Sequence, residues 1–309
     1  MNMTYHIPEV VVPGWRLGRN VNHDPRSFGF PFHTEPKKLT NVYWPRATGI
    51  LDQDGYGACT GFAMCGCAAC GPVYSVLPVG HPALDYDMGM KLYSDATHID
   101  PYAGSFPPDD TGSDGVSVMK AAVNNNLISG YTHTFDFDTA LQAIMTSPVI
   151  IGLTWWSNFD YPDPDGYVEI GGSVRGGHEV LVRGLDVTNS RVLLDNSWGP
   201  GWGKNGTFNF SFDTFGALLD DQGDCTVPVP LTAPKPAPVP VIYTANGAVS
   251  LKDVSNTKGT PVSTILKNTV KQYKAFSGPM SGYLQQGDMR LPIPSGEKLC
   301  LAWPQYTIS

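Results

Sequence analysis

Nothing in the sequence approaches an apolar run long enough to span a bilayer. The first ten residues, MNMTYHIPEV, lack the basic and apolar regions of a secretory signal. No membrane span is expected, nor export by the general secretory route in this form. A concentrated block of lysine and arginine is also missing. The chain carries 20 basic against 28 acidic side chains, a net charge of -8, which argues against nucleic acid and anionic membrane surfaces as partners. Cysteine is scarce as well: six in 309 residues is too few for a disulfide-dense scaffold. Four of them lie from Cys59 to Cys70 and the others are Cys225 and Cys300, a spread that leaves the redox compartment open. No repeat of the solenoid kind is present.

What the chain does contain is an ordinary hydrophobic share, 41%, sufficient for a substantial core. Its sharpest punctuation is VPVPLTAPKPAPVPV, residues 227 to 241, where recurrent proline favours an extended spacer. The expected division is therefore a main domain over 1–226, a spacer over 227–240 and a small domain over 241–309. Within the first, ACTGFAMCGCAAC is rich in small residues and suits a closely packed helix. DYDMGMKLYSDAT, VSVMKAAVNNN and DTALQAIMT also read as helices. From Pro148 the texture changes to PVIIGLTWW, EVLVRGLDV, RVLLDNSW and TFNFSF, short branched and aromatic runs that read as antiparallel strands. Helices first and strands second imply the α+β class.

Cys59 follows a glycine-bearing turn and opens the first helix. A thiol at a helix N-terminus sits in the positive end of the dipole, which favours thiolate, and an imidazolium nearby favours it further. Metal binding by the four clustered cysteines is the alternative. Successive helical residues turn by about 100°, so Cys65 and Cys67 point to different sides and no metal is expected; they and Cys70 read as small packing residues. The partner imidazole is found in RGGHEVLVRG, where His178 follows two glycines at the head of an apolar strand. In LLDNSWGPGWGKNG, Asn196 closes a strand. Its amide can fix an imidazole tautomer, and the indole of Trp198 can shield that hydrogen bond from water.

These three segments, in this order, resemble the papain-like cysteine peptidases: Gln53 to Phe62 in QDGYGACTGF, Gly177-His178-Glu179-Val180, and Asn196 to Gly206 in NSWGPGWGKNG. The resemblance implies a two-lobed fold, one lobe helical and the other an antiparallel, barrel-like sheet, with a cleft between. It implies Cys59 as nucleophile, His178 as general base and acid, Asn196 as the imidazole orienter, Gln53 as side-chain donor to the oxyanion and Trp198 in support. No cofactor is needed. Thr60 stands where tryptophan is common, as in bacterial and viral relatives. Glu179 stands where a small apolar residue is usual, and either raises the imidazole pKa or points into a substrate pocket. Ser113 and Asp114, in DDTGSDGV, are candidate substrate contacts together with Gly177 and Glu179; a helix N-cap is the competing role for Ser113 or Asp114. The residues preceding Gln53 are too few for a full inhibitory propeptide; GWRLGRNVNHDPRSFGF instead resembles the N-terminal strap of bacterial and phage relatives, and no zymogen step is expected.

The tail carries a second resemblance. VSLKDVSNTKGTPVSTILKNT and IPSGEKLCLAWP are similar to the LysM module, a small βααβ unit that binds N-acetylglucosamine-containing glycans such as peptidoglycan. In that reading Val249, Leu251, Val254, Val262, Ile265 and Leu266 mark two amphipathic helices. The whole chain then reads as a thiol protease acting on a peptide or isopeptide bond of a protein or cell-wall peptide, at a cell wall or in a phage tail or virion. The alternatives are a structural virion protein of the same fold with little activity, contacting other virion proteins, and a peptide transferase.

Overall fold

Small side chains make α1 (Cys59–Ala68) a wholly buried helix. Because Gly61 has no side chain, α1 and α3 (Tyr86–Thr97) meet backbone to backbone: a methyl group at Gly61 would stand 2.7 Å from the Tyr93 nitrogen. A short α2 (Gly71–Ser75) follows α1. Together with α4 (Gly115–Asn124) these form the helical side of the core, around Met64, Leu92, Met119 and Leu127. Asp85 caps α3 by accepting from the Met88 amide, and Asp114 caps α4 by accepting from the Ser117 amide. Gly61→Leu would force the two helices apart and is expected to cost about 3 kcal/mol, measured as a lowered denaturation midpoint with an unchanged m-value.

The computed structural model describes residues 3–23 and 31–232, together with the backbone of six strands within 240–300. Antiparallel strands β3 (Val42–Tyr43), β4 (Gly130–Thr134), β5 (Val149–Trp156), β6 (Val174–Asp186), β7 (Arg191–Asp195), β8 (Thr207–Ser211) and β9 (Asp224–Val229) form one sheet. Its order is β4-β9-β5-β6-β7-β8, with β3 also paired to β6. Helices α5 (Phe137–Ile144) and α6 (Phe212–Asp220) pack on it around Val149, Ile151, Phe210, Phe215 and Leu218. Near the N-terminus β1 (Met3–Tyr5) pairs with β2 (Val21–His23). The expected helices and strands of this part are present. Those missed were β1, β2, β3, α2, β4, α6 and β9. Among the described residues no helix is long and apolar enough to cross a membrane.

Two compact units divide the chain, Met1–Thr232 and Ala233–Ser309. The spacer assigned to 227–240 needs correcting at both ends. Val227 to Val229 belong to β9, and Pro240 begins β10 (Pro240–Ala245). Proline is tolerated at 228 because β9 shares only residues 224 to 226 with β5; Pro228 faces Tyr131 of β4 alone.

In the second unit β10 pairs with β11 (Ala248–Asp253), β12 (Ala275–Phe276) with β15 (Leu299–Cys300), and β13 (Gly282–Gln286) with β14 (Met289–Ile293). Val249 and Leu251, expected on a helix, therefore lie on a strand. Their alternation, V-S-L, has strand period, and Asn246-Gly247 between the two runs is a hairpin signal in the sequence. Val254, Val262, Ile265 and Leu266 lie outside the described residues. Between the two LysM-like motifs lies the β13–β14 hairpin, which such a βααβ unit does not contain.

Candidate active site

The glycine turn delivers Cys59 as the first residue of α1, fully buried. A thiolate there would accept from the Glu179 backbone N–H, one residue beyond His178 on β6. His178 sits opposite Leu153 of β5, and Asn196 follows the last residue of β7. The His178 Nε2–H donates to Asn196 Oδ1 at 2.8 Å. That oxygen also accepts from the Ser197 amide at 2.8 Å, which fixes which way the side-chain amide points. His178 is thereby held with Nδ1 as its unprotonated nitrogen, and Nδ1 has no hydrogen-bond partner among the described residues. Trp155 packs edge-on to the imidazole at 4.7 Å between centroids, and Trp198 lies at 5.0 Å and 30°. Burial pulls His178 down to about 3, whereas it pushes the Cys59 thiol up, with the Glu179 carboxyl adding in that direction. At neutral pH the pair is held as thiol and neutral imidazole.

The cause of that burial is the chain's own N-terminal segment. Leu17 to Arg19 runs between the turn before Cys59 and the strand carrying His178. On one side a methyl group at Gly18 would collide with the Gly57 carbonyl; on the other, the Gly18 and Arg19 amides both donate to Gly177 O, at 3.1 and 3.0 Å. The third wall is Ser113: its amide donates to Gly18 O at 2.9 Å and its carbonyl accepts from the Asn20 amide at 2.7 Å. Gln53 is fully buried. Its Nε2 donates to Arg16 O at 3.1 Å and Tyr56 O at 2.7 Å, while Oε1 accepts from Ser197 Oγ at 2.6 Å. Trp198 Nε1 donates to the same Arg16 carbonyl at 3.0 Å. The residues before Gln53, read in the sequence as a strap, are thus threaded through the trough. So short a segment is held because Gly177 O accepts from two of its amides while Ser113 both donates to it and accepts from it.

The four proposed substrate contacts divide. Gly177 lines the trough through its carbonyl, and Ser113 through its main chain; the Ser113 hydroxyl donates to Asp100 Oδ2 at 2.7 Å. Asp114 is the N-cap of α4, its two oxygens accepting from the amide and hydroxyl of Ser117, each at 2.8 Å. The competing cap role is the one its carboxylate plays. The Glu179 carboxyl is buried beside Arg19 and Asp224, so it points into a pocket rather than at the imidazole. Residues not singled out in the sequence are Trp155, Arg16, Arg19 and Asp224. Trp155 could have been found as the inward member of the Trp155-Trp156 pair on an alternating strand; nothing local marks the other three.

No protein-family model matches the chain. Over 122 residues it is 32% identical to cathepsin B-like CP3 of Giardia intestinalis, a stretch that is 36% of this chain and 41% of that relative's length. The solved structure of xylellain, a cysteine protease from Xylella fastidiosa, superposes with a TM-score of 0.51 at 15% identity, over 74% of this chain and 96% of that one. Digestive procathepsin L 3 of Tenebrio molitor larval midgut superposes with a TM-score of 0.51 at 17% identity, over 65% and 73%. The fold is that of the papain-like cysteine proteases.

Proposed function

We propose that this chain is a cysteine peptidase that hydrolyses a peptide or isopeptide bond through Cys59, His178 and Asn196. The observation that carries the reading is the orientation of His178: Nε2–H is committed to Asn196 Oδ1 and the bare, buried Nδ1 is free to take a proton. In the open state Nδ1 takes the Cys59 proton, the thiolate attacks the carbonyl carbon, and imidazolium returns the proton to the leaving amine. Water then cleaves the thioester, with His178 again as base. Departure of Arg16 releases one hydrogen of the Gln53 amide, which with the Cys59 N–H stabilises the oxyanion.

The polypeptide already lying in the trough supports a peptide as ligand, since its contacts there are mostly backbone to backbone. Incubation of a strap-loosened chain with peptide and peptidoglycan panels tests the reading; products identical with and without an added amine separate hydrolysis from transfer. Gln53→Ala is expected to lower kcat on the order of a hundredfold with a smaller change in KM. A change in KM alone would remove the oxyanion role.

A wall or virion setting rests on the LysM-like motifs of residues 241–309. Their capture by purified peptidoglycan, with a chain ending at Thr232 keeping its peptide hydrolysis, is the expected outcome. Absence of capture by the full chain would remove the glycan from the account.

A further inference from the structure

Beside the candidate nucleophile lies a pocket more acidic than the reaction needs. Arg19 enters it from the strap, its side chain fully buried; Nη2 donates to Asp224 Oδ2 at 3.0 Å and to Gln222 O at 2.7 Å. Its Nε and Nη1 have no hydrogen-bond partner among the described residues. Neither have both oxygens of Glu179, Oδ1 of Asp224 and the hydroxyl of Thr226, all buried. These atoms converge. A methyl group at Gly115 would stand 2.9 Å from Thr226 Oγ1, 3.0 Å from Glu179 Oε1 and 3.6 Å from Asp224 Oδ1. A methyl group at Gly152 would run into Arg19 Nε and stand 2.9 Å from Asp224 Oδ1. Two glycines, one on α4 and one on β5, therefore leave the room that the Arg19 guanidinium and the Glu179 and Asp224 carboxyl groups fill. His23 and His133 approach Asp224 only to 3.9 Å each, and the Asp114 carboxylate is engaged by Ser117.

The balance of charge changes when the strap leaves. With Arg19 seated, burial pushes the Asp224 carboxyl up, but the guanidinium foremost, with His133 and His23 behind it, overrides this and holds Asp224 well below the usual range. Burial, reinforced by Asp224, pushes Glu179 up. Withdrawal of Arg19 leaves a buried carboxylate without its cation, which is costly unless another cation enters. The entering peptide is the available source, because the backbone of Gly18 and Arg19 is held by Gly177 and Ser113, the same walls a substrate would use.

We propose that Asp224 and Glu179, with Gly115 and Gly152 as walls, form a guanidinium-recognising pocket that selects substrates carrying an arginine side chain close to the bond cleaved, and that Arg19 is its occupant in cis. This rests on the peptidase reading above, so its test has a binding arm independent of turnover. In the full chain carrying Gly18→Ala and Arg19→Ala, calorimetry is run with a short blocked peptide containing arginine and its neutral citrulline isostere, and hydrolysis of the same pair is timed. The arginine peptide is expected to bind and be cleaved at least tenfold better, and adding Asp224→Asn is expected to bring the two to parity. Arg19→Gln, which keeps a donor to Gln222 and Asp224, replaces Arg19→Ala if circular dichroism shows that variant unfolded. Equal binding of arginine and citrulline peptides overturns the pocket, whatever the turnover. Tenfold preference in binding without hydrolysis, with Cys59 unreactive, supports the pocket and counts against the peptidase reading alone.

Discussion

Cys59→Ala is expected to abolish peptide hydrolysis by a strap-loosened chain, lowering kcat by a factor on the order of a million, as removal of a covalent nucleophile does. The fold should survive. Cys59 is fully buried at the first position of α1, and exchanging a thiol for a methyl hydrogen there removes one atom from a helix made of small residues, a change of about 1 kcal/mol or less. Loss of activity with an unchanged denaturation midpoint separates chemistry from structure. His178→Ala should match it, since without Nδ1 nothing takes the thiol proton. Asn196→Ala should be milder, because the rings of Trp155 and Trp198 still confine the imidazole after its amide partner is gone. Retention of more than a hundredth of the activity by Cys59→Ala would end the covalent account.

The second large effect concerns access. Gly18 has φ +148, which side chains rarely adopt, and an added methyl would meet the Gly57 carbonyl and stand 2.7 Å from Gly57 Cα. Backbone cannot swing aside as a side-chain tip can, so Gly18→Ala must lift the strap. A penalty of about 2 kcal/mol on the closed state raises the open population about thirtyfold. Cys59 alkylation, slow in the intact chain because thiol and imidazole are both held neutral, should accelerate by that factor. The rates at Cys65, Cys67 and Cys70 should not change. Their thiols are pushed up by burial in the helical part of the core, apart from the strap's Leu17. Uniform acceleration at all four would mean general loosening, and no acceleration at Cys59 would mean that the strap does not guard it.

The positions of Cys59, His178 and Asn196 were legible because each is tied to local backbone. The glycine turn before Cys59, the two glycines before His178 and the glycine-rich turn after Asn196 are punctuation that a sequence displays openly. The long helices and strands were legible for the same reason, through period and capping residues such as Asp85 and Asp114. That a strap precedes the turn was legible in GWRLGRNVNHDPRSFGF, but its path was not, because threading is a long-range property. Arg19 and Asp224 are 205 positions apart in the hydrogen bond that joins them, and neither is unusual in its own neighbourhood. Strand β9 was hidden by its proline, which is compatible with a strand only where one neighbour is missing, and that depends on sheet order. In the tail, helical spacing was read into Val249 and Leu251 although Ser250 between them equally gives strand alternation; with so short a window the two periods cannot be told apart.

The central claim is that a thioester forms on Cys59 during turnover. Acid-quenched Gly18→Ala chain, sampled while it hydrolyses a peptide ester, should carry the acyl mass in intact-protein mass spectrometry, mapped by digestion to the peptide containing Cys59 and absent from Gly18→Ala with Cys59→Ala. Hydrolysis that proceeds with no acyl adduct, or with the adduct on Cys65, Cys67 or Cys70, would contradict it.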